Sequence, residues 1–341
     1  VDADGKKMSK SAGNVVAPQQ VMKTLGADVL RLWVAATDYR AEMSVSDEIL
    51  KRVSESYRRI RNTCRYLLAN LNGFDPARDL VPHADLLPFD QWIVDQAWQL
   101  QQRVVQNYAD YQFHLIYQEL HTFCSVQLGA FYLDVLKDRM YTLQADSLAR
   151  RSGQTAMYHV AEAMVRWMAP ILSFTADEIW TFLPGRTTKS PLFHTWYDGL
   201  APLPADTRID AARWTRLLAL RDAVNLALEP LRRDKRIGSG LDAEIDLHVA
   251  DVAASGLADI GEDLRFLCLV SQVRLTAEPA PDEAIAIDGG ALRLAVRVSE
   301  AAKCARCWHH RPDVGSHAAH PELCGRCVEN VDGAGEVRGW F

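Results

Sequence analysis

Residues 4–14, DGKKMSKSAGN, place two ammonium groups (Lys7 and Lys10) and two hydroxyls (Ser9 and Ser11) within five positions. Lysine carries a compact positive charge suited to phosphate oxygens, and serine hydroxyls and backbone amides add neutral donors. Gly5 and Gly13 flank the segment and let the backbone bend and come close to a ligand. Such a loop is equipped to hold a polyphosphate. A solvated basic surface loop is the plainer reading, but the string KMSKS arises by chance in a chain of this length only about once in ten thousand.

A second constellation lies far along the chain. Cys304-Ala305-Arg306-Cys307 and Cys324-Gly325-Arg326-Cys327 are two CxxC pairs separated by sixteen residues. Two thiolates three positions apart on a tight turn reach one ion, and two such turns complete a tetrahedron, the donor set of a zinc site. Four sulfurs leave no open coordination position, so the zinc expected here is structural. His309, His310, His317 and His320 lie between the pairs and are alternative ligands. The paired spacing argues for metal over a redox role. Lys303, Arg306, Trp308, Arg311 and Arg326 offer charge and one stacking surface for a nucleic acid, or Trp308 simply covers the metal.

With 341 residues, 48% of them hydrophobic, the chain can bury more than one core. It has no run of about eighteen apolar residues for a membrane span, and residues 1–7 lack a secretory pattern. The net charge of −6 argues against a globally basic nucleic-acid coat, so an RNA partner has to meet local basic patches. Seven cysteines, an odd number with four in CxxC pairs, fit a reducing cytoplasm better than a disulfide scaffold. Cys64, Cys124 and Cys268 read as small core residues.

The elements that must position these groups are mostly helical. Helices are expected over 18–25 and 26–36, then from Ser46 to about Asn72, where Ile49, Val53, Tyr57, Ile60, Cys64, Leu67 and Leu71 form one stripe. Its other faces carry Lys51, Arg52, Arg58, Arg59, Arg61 and Arg65, either a solvated face or a rail for RNA phosphates. Further helices are expected over 90–109, 114–125, 128–141, 147–169, 175–182 and 214–231. The aromatic residues recurring through them are spaced for a bundle core rather than for base stacking. After residue 240 the period changes to two: Ile245, Leu247 and Val249, then Val273 and Leu275, then Leu292 to Val298 alternate with polar residues as half-buried strands. A helix is expected between them near 262–270.

With this context, KMSKS resembles the ATP-closing loop of the class I aminoacyl-tRNA synthetases. Residues 12–50 resemble the isoleucyl-tRNA synthetases, most tellingly where Asp38-Tyr39-Arg40 runs into Met43-Ser44-Val45-Ser46. FHLIYQELHTFCSVQLGAFYLDVLKDRMY, residues 113–141, resembles the helical anticodon-binding domain of that subclass. Arg232 to Arg236 followed by Ile237-Gly238-Ser239 fits the same family with two departures. Pro230 stands inside the helix and is expected to kink or end it, and Gly240 stands where a serine is expected.

The resemblance implies a mainly α protein: the end of a class I Rossmann-type catalytic domain with its KMSKS loop (1–45), a helical-bundle anticodon-binding domain (46–200), a small α+β domain (201–298) and a four-cysteine zinc module (299–341). It implies activation of isoleucine by attack of its carboxylate on the α-phosphate of ATP, with Mg, and transfer to the terminal ribose of tRNA. Lys10 is the expected principal ATP contact and Lys7 the second catalytic lysine, while Ser9 and Ser11 shape the loop and donate hydrogen bonds. No protein nucleophile is needed; positioning and charge stabilisation do the work. No HIGH-type segment is present, so the resemblance implies the C-terminal part of a longer, monomeric, cytoplasmic enzyme whose catalytic floor and editing insertion lie elsewhere. A methionyl, valyl or leucyl synthetase is a competing reading. A non-catalytic zinc-bearing tRNA-binding module is another, and it leaves KMSKS unexplained.

Overall fold

The computed structural model describes residues 1–341. Its helices are α1 (Pro18–Leu25), α2 (Ala27–Ala36), α3 (Asp47–Asn70), the short α4 (Pro76–Asp79), α5 (Pro88–Ala109), α6 (Phe113–Thr122), α7 (Leu133–Thr142), α8 (Leu148–Met168), α9 (Ser173–Phe182), α10 (Ala211–Arg233), α11 (Leu264–Cys268) and α12 (Gly325–Asp332). A π-helix, Phe123–Tyr132, joins α6 to α7. Two compact units form: one from residues 1–85, 90–134 and 154–203, the other from 86–89, 135–153 and 204–341.

The first unit is helical. Gly26, at φ +89°, separates α1 from α2 in a backbone conformation open to glycine. Ser46 caps α3, its Oγ accepting from the Ile49 N–H at 3.2 Å, with Asp47 and Glu48 in the first turn. Val53, Ile60, Cys64 and Leu67 are buried along the stripe, while Arg58, Arg59 and Arg65 stand exposed on the other faces. Trp92, Phe123, Phe131, Tyr132, Trp167 and Trp180 are buried, so this aromatic series is chiefly bundle core. Where a break is expected around residues 126–127, the chain instead stays helical with π geometry. The wider turn rephases the apolar positions, keeping Phe123, Cys124, Leu128, Phe131 and Tyr132 all inward.

The second unit holds four strands, β1 (Ala243–Val249), β2 (Gln272–Thr276), β3 (Ile285–Ile287) and β4 (Leu292–Val298), in the order β2-β1-β4-β3. β1 runs parallel to β2 and antiparallel to β4. Ile245 and Leu247 point into the core, while the opposite face carries an ion-pair ladder in which Asp246 accepts from Arg274 and Arg297. α10 packs Trp214, Leu217, Leu220, Val224 and Leu228 inward and continues three residues past Pro230. The carbonyl that loses its donor to this proline belongs to Leu226, which is 75% exposed, so the lost bond falls on the solvent side of the helix and leaves no polar group sealed in the core. At Gly240 a Cβ would stand 2.5 Å from the Leu269 carbonyl oxygen, a close approach that accounts for glycine at that turn.

Candidate functional site

The KMSKS loop is braced from inside. Asp2 Oδ1 accepts from the N–H groups of Asp4 and Lys6 at 3.0 and 2.8 Å, and Asp2 Oδ2 accepts from Asn14 Nδ2 at 2.8 Å. Asn14 Oδ1 in turn accepts from the Ser9 N–H at 2.9 Å, closing the loop across its base. The Asn14 hydrogen bond, followed by that from Lys6, holds the Asp2 carboxyl below its ordinary pKa. Ser9 and Ser11 share a hydroxyl contact at 3.1 Å, and Ser9 Oγ accepts from the Ala12 N–H at 3.1 Å. Met8 packs against the cluster of Val21, Val45 and Leu50. With Met8 turned inward, Lys7 and Lys10 are left exposed with their charges toward solvent. Both lysines and both serines therefore lie within one five-residue stretch, with Lys10 and Ser11 in the turn that follows Ser9. Asn14 ends the segment and Asp2 lies two residues ahead of its start, and neither carries a signal of its own in the sequence.

On α3 the stretch from Ser56 to Asn70 contains four arginines and no acid. Arg61 is tied to Glu178 of α9, donating to both carboxylate oxygens at 2.8 Å, whereas no ion-pair partner stands against Arg58, Arg59 or Arg65. An open groove of about 820 Å³ runs beside Arg61 and Arg65, with Leu68, Phe74 and Ile179 in its lining and Phe182, 69% exposed, at its edge. This combination of cations with exposed aromatic surface suits single-stranded nucleic acid.

All four CxxC sulfurs converge, each lying within 4.8 Å of the others, and all four cysteines are buried. A tetrahedral ion with metal–sulfur bonds of about 2.3 Å requires sulfurs about 3.8 Å apart. Cys307 and Cys324 Sγ are 3.7 Å apart. Cys324 caps α12 and Cys327 lies in its first turn, so the helix N-terminus faces the sulfurs and favours thiolates. The Cys324 N–H also points at Cys304 Sγ, 3.4 Å away. Hydrogen bonds from the neighbouring thiols of Cys307 and Cys327 lower the Cys324 pKa and favour its thiolate. The donor set therefore fits a structural zinc, which Cys304, Cys307, Cys324 and Cys327 would hold.

None of the four histidines joins the converging group: His317 Nε2 lies near Gly325 but outside the four-sulfur cluster, and the other three are engaged elsewhere. His309 Nδ1 lies 3.3 Å from the Cys307 carbonyl and the ring packs on Phe266; His310 meets the Ala301 carbonyl and Asp242; His320 pairs with Asp332 at 2.6 Å. The arginines of the two turns are also engaged. Arg306 donates to the Thr142 carbonyl at 2.6 Å, and Arg326 is buried in an ion-pair cluster, so Arg326 does not present charge to a surface ligand. Trp308 adopts φ +66° and is 62% exposed, with Lys303 Nζ 5.9 Å from its ring centroid; it is a surface aromatic rather than a cover for the metal. The remaining cysteines are core thiols: burial pushes Cys64 and Cys268 up to about 12 and raises Cys124 as well.

Comparison with known proteins places these features in one class. Residues 1–46 match the family of class I tRNA synthetases for I, L, M and V, residues 90–247 the anticodon-binding domain of tRNA ligase, and residues 302–330 the zinc finger found in FPG and IleRS. The chain is 60% identical over 342 residues to an isoleucine–tRNA ligase of Thioalkalivibrio sulfidiphilus, covering 99% of this chain and 36% of that one. Isoleucine–tRNA ligases of Methylococcus capsulatus and Nitrosococcus oceani are each 59% identical with the same coverage. The chain belongs to the isoleucine–tRNA ligase family and corresponds to its C-terminal portion, spanning about a third of the length of these curated relatives. No helix is long and apolar enough to cross a membrane.

Proposed function

We propose that this chain supplies the ATP-closing loop and the tRNA-binding region of an enzyme that activates isoleucine with ATP and Mg and transfers it to its tRNA. One observation carries the reading: a KMSKS turn with Met8 anchored and both lysines exposed, in a chain that also bears an anticodon-binding domain. Lys10 contacts the ATP phosphates as charge develops in adenylate formation, Lys7 assists, and Ser9 and Ser11 hold the turn and donate hydrogen bonds. Residues 1–45 close the catalytic domain, 46–200 bind the anticodon arm, 201–298 form a small α+β support, and 299–341 carry the zinc and add Lys303 and Trp308 to the RNA surface. The working enzyme is a cytoplasmic monomer.

In the full-length enzyme, Lys10→Ala is expected to lower isoleucine-dependent pyrophosphate exchange by about 10²–10³-fold, the scale of one transition-state hydrogen-bond donor, while tRNA affinity stays within about twofold. Unchanged exchange removes Lys10 from the mechanism. For the RNA surface, replacing Arg58, Arg59 and Arg65 by alanine is expected to weaken tRNA binding and to reduce the salt slope by about one for each phosphate no longer neutralised. Filter binding at several salt concentrations reads both quantities, and an unaltered slope returns this face to solvent.

A further inference from the structure

The second metal turn has a charged residue at its centre, and its side chain points inward. Arg326, between Cys324 and Cys327, has a side chain only 14% exposed. Its Nη1 donates to Asp138 Oδ2 at 2.7 Å and to Glu336 Oε1 at 2.9 Å, and its Nη2 donates to Asp138 Oδ1 at 2.8 Å. Arg338, 3% exposed, closes the cluster: it donates to Asp138 Oδ2, and its Nε donates to Glu336 Oε1 at 3.1 Å. The Arg338 guanidinium lies 3.4 Å from the centroid of the Phe266 ring, which also packs on His309, two residues beyond Cys307. Two carboxylates and two guanidiniums thus form a buried, charge-balanced group against the metal turn.

Buried ion pairs contribute little net stability compared with apolar packing of the same volume, because both partners give up hydration. Their geometry, however, is rigid and directional, and a bidentate arginine–carboxylate pair fixes a plane as well as a distance. Burial by itself would raise the Asp138 pKa, but the Arg326 and Arg338 charges outweigh it and hold the carboxyl well below its ordinary range. The anion is therefore permanent over the working pH range.

We propose that Asp138 is a positioning residue of the metal centre: by gripping Arg326 in two places it sets the Cys324–Cys327 turn at the spacing a tetrahedral zinc requires. Glu336 is the second holder, and Arg338 is the counter-ion that lets the two acids lie together. Asp138 belongs to α7, 188 positions earlier in the chain than Arg326, so a helix outside the zinc-finger segment becomes part of its outer shell. Partners of this kind alter metal affinity by roughly 10–100-fold.

The inference rests on the four cysteines being zinc ligands, which zinc titration of the unaltered chain tests separately. Asp138→Asn in the complete chain is expected to weaken zinc binding about 10–100-fold against a chromophoric chelator, speed its release, and broaden or shift the absorption bands of the cobalt-loaded form. Asp246→Asn, which breaks an ion pair on the sheet of the same unit, is expected to leave zinc affinity within about twofold. A role confined to packing would lower the melting temperature of Asp138→Asn equally with and without zinc and leave affinity and cobalt bands untouched; that result overturns the proposal. Should Asp138→Asn fail to fold, Arg326→Lys keeps a positive charge beside the thiolates but cannot make the planar two-point grip on Asp138, and it is judged by the same affinity criterion. If the unaltered chain takes up no zinc, both the proposal and the metal reading fall.

Discussion

His159, on α8, shows how a single buried group makes the helical unit sensitive to pH. Its Nδ1 lies 2.7 Å from the Tyr197 hydroxyl, and the ring tautomer decides which of the two donates. Burial, helped by the neighbouring His83, lowers its pKa to about 4. An unfolded histidine titrates near 6.5, so the folded state binds fewer protons between these values. Stability is therefore complete above about pH 6.5 and declines as pH falls toward 4, by up to about 3 kcal/mol. His159→Gln is expected to flatten the dependence of the urea midpoint on pH between about 7 and 4.5; an undiminished slope would place the titration elsewhere. Nothing in the sequence marks this histidine, because its partner is 38 positions away. The lysines, serines and cysteines of the two sites are legible because their chemistry is written in strings of four or five residues. Asp138 and Asn14 are not, since each acts through a neighbour that only folding or loop closure supplies.

At the scale of elements, legibility follows the length of the period. α3 repeats its apolar stripe over six turns and starts at a serine followed by two acids, so its extent and its buried face can both be read. Its cap is open to direct test. Ser46→Ala removes the acceptor for the Ile49 N–H and is expected to cost about 1 kcal/mol, seen as a lower urea midpoint with an unchanged m-value. No change would mean that water or Asp47 serves that donor equally well. β1 and β4 are visible from alternation over seven residues each, whereas β3, three residues long at the sheet edge, gives no statistical signal. The π-helix reads as a break for a related reason. An inserted residue in a helical turn disrupts a period of 3.6 in the sequence even though the chain stays helical in space.

For the molecule as a whole, the net charge of −6 conceals a positive stretch on α3, and the linear order of segments conceals which of them pack together. The second unit joins residues 135–153 to 204–341, and its metal turns are bonded to that earlier segment. Arg306 donates to the Thr142 carbonyl, Arg326 to Asp138, and Gln144 Nε2 to the Gly333 carbonyl at 3.0 Å. A structural metal stabilises whatever its ligands hold in place, so removing zinc should reach further than the cysteine turns themselves. With a chelator in excess, hydrogen exchange is expected to rise about tenfold or more over residues 302–330, and also over 135–142 and 334–338, while the helices of the first unit keep their protection. Trp340 and Phe341 have anchors of their own: Arg208 stacks 3.5 Å from the Trp340 centroid, and Phe341 packs on Phe89 and Trp214. They are expected to stay protected. An increase confined to 302–330 would show that the charge cluster survives without the ion, and that the metal organises only its own turns.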